Sequence, residues 1–262
     1  MLTRRIDKAK EAYRKRDGEA SRTAHEAGHE PHNEGEGKYL KSIVYGGLDG
    51  IITTFAVVAG VAGASLDAGV VLILGFANLI ADGLAMAFGE YLSGKAEREY
   101  HQAERERETW EFENHPEGEK LELVELYVEK GLEEEDARQV VEIMAKNKET
   151  IVDIMMVEEL GLHESNDSPY GNAVATFLSF VTFGFVPLSS YLAGRLGNLE
   201  PTFDGFPWAC VLTALTLFAL GALKTRFTGR SWLASGTEML VVGGIAAVAA
   251  FGIGHLLKGW GG

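Results

Sequence analysis

Cysteine is almost missing from this chain: there is one in 262 residues, Cys210, set in an apolar run. A lone cysteine excludes a disulfide framework and a cysteine-based zinc site. The pattern of a secretory leader is missing too, because no apolar core follows the eight basic residues that lie up to Arg22. Positive charge is in deficit, with 24 Lys and Arg against 38 Asp and Glu. Residues 94–167 hold 23 acidic and 9 basic side chains, a net of −14, while the remainder balances at 15 and 15. A block that acidic repels nucleic acid and attracts cations. Proline is missing where a break would be expected, for none stands between positions 68 and 115.

That uninterrupted stretch organises the rest. Residues 68–92 are apolar enough to cross a bilayer, yet carry Asn78, Asp82, Met86 and Glu90 at four-residue spacing. On a helix such residues form one slowly drifting stripe. Glu97, Glu104, Glu108 and Glu111 continue near the same face. One helix of roughly 45 residues, at about 1.5 Å each, would be nearly 70 Å long, about twice the hydrocarbon thickness. The pattern predicts a rod, half in lipid and half in water, with oxygen ligands down its side.

Further spans are predicted at 43–66, 171–196, 207–223 and 238–257, with Pro187 kinking the third of the five. The first carries small residues at fourth positions, Gly46 and Gly50, then Ala56, Gly60 and Ala64, which lets helices approach closely. Between the second and third spans, short helices are expected near 117–130, 133–147 and 148–162, with Leu121, Val124, Val128 and Leu132 as an apolar seam. The fold class is therefore an all-α membrane protein: five transmembrane helices and a cytosolic helical metal-binding domain inserted between the second and third. Its parts are a polar tail (1–37), spans one and two (38–93), the acidic domain (94–167) and spans three to five (168–262). Lys38, Lys41, Lys95 and Arg98 flank the first two spans, and the loop 224–234 holds Lys224, Arg226 and Arg230 with no acid. The loop 197–206 holds Glu200 and Asp204 with no base. The positive-inside rule puts the N-terminus and the acidic block in the cytoplasm, against which only Arg195 argues.

Asp49 sits inside the first span, where a carboxylate costs about 2.5–3.5 kcal/mol. Without a partner it would keep a proton, and a divalent cation would displace that proton, which is the physical basis of metal/proton antiport. Asp82, Met86 and Glu90 add a thioether between two carboxylates, a set that favours Fe²⁺ over Mg²⁺ or Ca²⁺. In the acidic block, Glu108/Glu111 and Glu119/Glu122 are i, i+3 pairs on successive helices, and Met155 shares a face with Glu159. The Glu-x-x-His pair of di-iron bundles is absent from the block, which argues against a ferritin-type oxidase. The motif His25-Glu26-Ala27-Gly28-His29 matches the zinc-protease pattern, but Gly28 and Pro31 weaken the helix it needs. A loose metal-gathering tail of His25, His29 and His32 is another reading of it.

Gly47-Leu48-Asp49-Gly50-Ile51 and Thr54-Phe55-Ala56 resemble the first span of the vacuolar iron transporter family. Residues 77–92, with Asn78-Leu79-Ile80-Ala81-Asp82-Gly83 and Met86-Ala87-Phe88-Gly89-Glu90, resemble its second. Residues 154–162, around Met155-Met156-Val157-Glu158-Glu159, look like the end of that family's cytosolic metal-binding insert. The resemblance covers about 38–258 and leaves 1–37 without a counterpart. It implies a homodimer of five-span subunits in a lipid bilayer, with no prosthetic group and no enzymatic activity. It implies export of Fe²⁺, often Mn²⁺ too, from the cytosol in exchange for protons, with Zn²⁺ as a further ion. It places Asp49 and Met86 on the path, and assigns metal ligation to Glu108, Glu111, Glu119, Glu122, Met155, Met156 and Glu159. Plant members tend to carry an acid where this chain has Asn78; here the nearby acid is Asp82, so the next carboxylate on the path stays open. The membrane would be the plasma (inner) membrane of a prokaryote, which the compact loops favour, or the vacuolar membrane of a plant, fungus or protist. Rival readings are a Mg²⁺ channel with an acidic sensor, a non-transporting iron sensor and a membrane metalloprotease using His25, Glu26 and His29.

Overall fold

The computed structural model describes residues 6–26, 39–163, 167–197, 204–228 and 231–259. Among these every regular element is a helix. Two short ones, α1 (Ile6–Lys15) and α2 (Gly18–Glu26), pack on each other. Asp17 caps the second, its carboxylate accepting from the N–H groups of Glu19 and Ala20 at 3.0 Å each.

The main body runs α3 (Leu40–Gly63), α4 (Ala68–Asn114), α5 (Pro116–Glu129), α6 (Glu134–Met144), α7 (Lys148–Glu158), α8 (Pro169–Leu196), α9 (Phe206–Thr228) and α10 (Trp232–Leu257). Side-chain caps fix three starts. Asp67 accepts from the Gly69 N–H at 2.6 Å, Asn147 from Thr150 at 3.1 Å and Ser168 from Gly171 at 3.2 Å. Five helices are long and apolar enough to cross a membrane: α3, α4, α8, α9 and α10. Their outward faces suit lipid rather than water. On α10, Val241, Ile245, Val248 and Leu256 are 60–79% exposed, and an apolar belt of that kind is stable only against hydrocarbon or another apolar surface.

Helix α3 is the hub, packed against α8 on one side and α10 on the other. A Cβ at Gly46 or Gly50 would run into the backbone of Thr176 or Phe180, so glycine sets that approach. On the α10 side Gly63 faces the backbone of Phe251, and Gly254 returns the contact to the backbone of Gly60 and Ala64. Glycine rows of this kind bring backbones together where apolar burial cannot drive association. Val71, Gly75, Leu79 and Gly83, four residues apart, form the buried face of α4, with Gly75 under Leu188. Helix α8 continues on both sides of Pro187.

The 47-residue α4 leaves the apolar bundle without interruption and becomes the first wall of a second, separate core. That core holds Leu123 and Val124 of α5, Ala137 and Val141 of α6, and Ile151, Val152, Met155 and Met156 of α7. The expected seam on α5 is not the one used. Leu121, Val128 and Leu132 are 45%, 39% and 37% exposed, and of the four only Val124 is buried. Burying Leu123 with Val124 rotates the helix so that Glu119, one turn before Leu123, turns inward as well.

Candidate metal centre

The polar half of α4 brings Glu108 and Glu111 to one side, and the first turns of α5 bring Glu119 opposite. One carboxylate oxygen from each of the three lies within 4.8 Å of the others. Glu108 is only 1% exposed and Glu119 6%. Both Glu108 oxygens and Oε2 of Glu119 are buried without a hydrogen bond. A buried carboxylate left in that state is costly unless a proton or a cation joins it. Glu122 and Glu159 complete the predicted set, close enough for their charges to bear on both Glu108 and Glu119. Burial above all pushes the Glu108 carboxyl up to about 7; Glu159, Glu111 and Glu122 add to the rise, and Arg107 opposes it. Glu119 is likewise pushed up to about 7, first by burial and then by Glu108 and its neighbours. Glu159 moves the same way, through burial and then Glu122. A divalent ion would exchange for the protons this pocket holds.

Met155 and Met156 are 0% and 6% exposed, packed among the apolar side chains of the second core at the end of α7. Among the described residues Glu104 lies outside the three-carboxylate group; it holds Arg107, which donates from Nε to Oε2 at 2.9 Å. Arg107 is the feature that sequence reasoning missed. It also donates from Nη1 to Glu111 at 2.6 Å and places Nη2 2.6 Å from Glu108 Oε1, off hydrogen-bond angle.

In the bundle, Asp49 of α3 and Asp82 of α4 are both half-buried, near enough for their charges to interact. Asn78, Asp82, Met86 and Glu90 are all half-buried beside the packed face of α4. Met86 touches the apolar core of the bundle, and the Asn78 Nδ2 is buried without a partner. Between bundle and insert lies a cavity of about 870 Å³, lined by Glu90, Glu97, His101, Asp153, Met156 and Asn172 among others. His101, one turn after Glu97, could have been found by extending the acidic stripe to every metal-ligating residue type. His25 and Glu26 close α2, while His29 and His32 lie outside the described residues.

Fold and site together define a polytopic α-helical membrane protein with an acidic, cation-suited helical insert. The family model described as "VIT family" matches residues 40–255, and the chain belongs to that family. It is 42% identical to the "Vacuolar iron transporter" of Toxoplasma gondii, over 97% of this chain and 89% of the relative. It is 38% identical to the protein of that name from Plasmodium falciparum, over 98% of each. Against "Vacuolar iron transporter 1" of Arabidopsis thaliana it is 31% identical, over 85% of this chain and 87% of the relative. Coverage of 97–98% takes in most of residues 1–37, so the tail, expected to lack a counterpart, aligns in the two parasite proteins.

Proposed function

We propose that the chain is a transporter rather than an enzyme, and that it moves Fe²⁺ out of the cytosol in exchange for protons. Mn²⁺ is the second cargo, and the chain works as a homodimer in the membrane of a vacuole-like or extracytoplasmic compartment. The observation that carries the reading is the buried Glu108, whose oxygens accept no hydrogen bond, within the group Glu108, Glu111 and Glu119, at the outer end of the helix that carries Asp82 and Met86. The names of the relatives support iron as the ion. The insert captures metal with Glu108, Glu111, Glu119, Glu122 and Glu159. The thioethers of Met155 and Met156 suit a borderline cation over Mg²⁺. The ion then passes through the polar cavity below the insert to Glu90, Met86, Asp82 and Asp49. Protons taken up by Asp49 and Asp82 on the far side return as the metal leaves. Asp82, whose charge bears on Asp49, takes the part that an acid at position 78 would otherwise play.

Fe²⁺ flux into proteoliposomes containing a pH dye, wild type against Asp49→Ala, tests this. Metal uptake should drive proton counterflow, and Asp49→Ala should stop both. Fe²⁺ movement without proton movement would replace exchange by a channel, and binding without flux would leave a sensor.

A further inference from the structure

The acidic insert distributes its few bases unevenly. Lys120 pairs with Glu117 and Glu142, Lys130 with Glu158, Arg138 with Glu134, Lys148 with Glu113 and Arg105 with Asp153. All of those acids lie outside the carboxylate group. Among the described ion pairs, Arg107 alone reaches into it, touching Glu108 and Glu111 while anchored on Glu104. Its side chain is 43% exposed, so it approaches from the solvent side and has room to leave.

We propose that Arg107 is a built-in competitor for the cation: its guanidinium occupies Glu108 and Glu111 when no metal is bound and swings aside, still held by Glu104, when metal arrives. The proposal rests on the insert being the capture site. Two of the three carboxylates that a divalent ion would use are the ones the guanidinium now faces, and a fork with several donors can satisfy one carboxylate while releasing another. Such a residue lowers affinity without removing a ligand. A capture site that feeds a transport path gains from this, because an ion bound too tightly is not handed on.

The test uses the full-length protein in detergent, titrated calorimetrically with Mn²⁺ at fixed pH and salt. Two part-exposed charge contacts, each worth roughly two- to fivefold, should make Arg107→Gln bind Mn²⁺ on the order of tenfold tighter. Arg107→Lys, which keeps the charge and loses the fork, should fall between Arg107→Gln and wild type. A merely structural arginine gives the opposite sign, so equal or weaker binding by a variant that melts like wild type overturns the proposal. If Arg107→Gln does not fold, Arg107→Lys decides: tighter binding supports competition, and equal or weaker binding ends it. Absence of Mn²⁺ binding in wild type and variants alike would instead bring down the capture-site reading beneath it.

Discussion

At the scale of single residues, the chemistry turns on carboxylates kept from water. Glu108 and Glu119 have folded-state pKa values of about 7, above the ordinary 4.5. A raised folded pKa means that the native protein binds the proton more tightly than the unfolded chain. The contribution to stability is therefore complete below about 4.5 and is lost as pH rises to about 7. In metal-free protein, Glu108→Gln should leave the melting temperature unchanged near pH 4.5 and raise it relative to wild type at pH 8. A variant that melts lower than wild type at pH 8 would show that the Glu108 charge is already balanced. The i, i+3 pairing of Glu108/Glu111 and Glu119/Glu122 was legible because helical spacing alone brings such pairs to one face. The part of Arg107 was not. A base inside an acidic run is ordinary in sequence, and only the folded contact separates it from Lys120 or Lys130, whose partners lie elsewhere.

At the scale of elements, α4 was readable almost to the residue, since an apolar period passing into a polar one without proline or a turn cluster leaves a helix no place to stop. The rotation of α5 was not readable. Leu121, Val124 and Val128 make a longer apolar row than Leu123 and Val124, and the choice fell to whichever face closes on α6 and α7. The continuity of α4 can be tested by insertion between Glu90 and Glu104, outside the three-carboxylate group. Each added residue turns the far half by about 100°. Two added alanines should leave Mn²⁺ binding by the insert intact and abolish Fe²⁺ flux, because the ligand stripe no longer points from one site to the other. Four, close to a full turn, should restore part of the flux. Equal flux in both insertion variants would mean that the two sites work without a shared register.

At the scale of the whole molecule, five spans and the placement of charge in the loops predict an orientation that the helices by themselves leave free. With Cys210→Ser as background, Glu135→Cys in the insert and Glu200→Cys in the acidic loop should react with a membrane-impermeant thiol reagent from opposite sides of sealed vesicles. Labelling of both from one side would overturn the five-span orientation. The confinement of acidity to residues 94–167 set that block apart from the spans, and the apolar seam expected in it meant that it should fold; the core found there uses Leu123 and Val124 of α5 with residues of α6 and α7. The arrangement of the bundle around α3 was not legible, because glycines at fourth positions announce close approach without naming the neighbour. Gly46 and Gly50 took α8, while Gly60 and Gly63 took α10.

The unbroken run of α4 also sets a local dose. Glu90 and Glu108 lie on one helix, eighteen residues and roughly 27 Å apart. A hingeless shaft would hold an ion captured at Glu108 within that radius of Glu90. One ion in a sphere of that size corresponds to an effective concentration of the order of 10 mM. The path would meet its cargo at that level however scarce free metal is in the surrounding water. Its own affinity can then be weak, and release on the far side correspondingly fast.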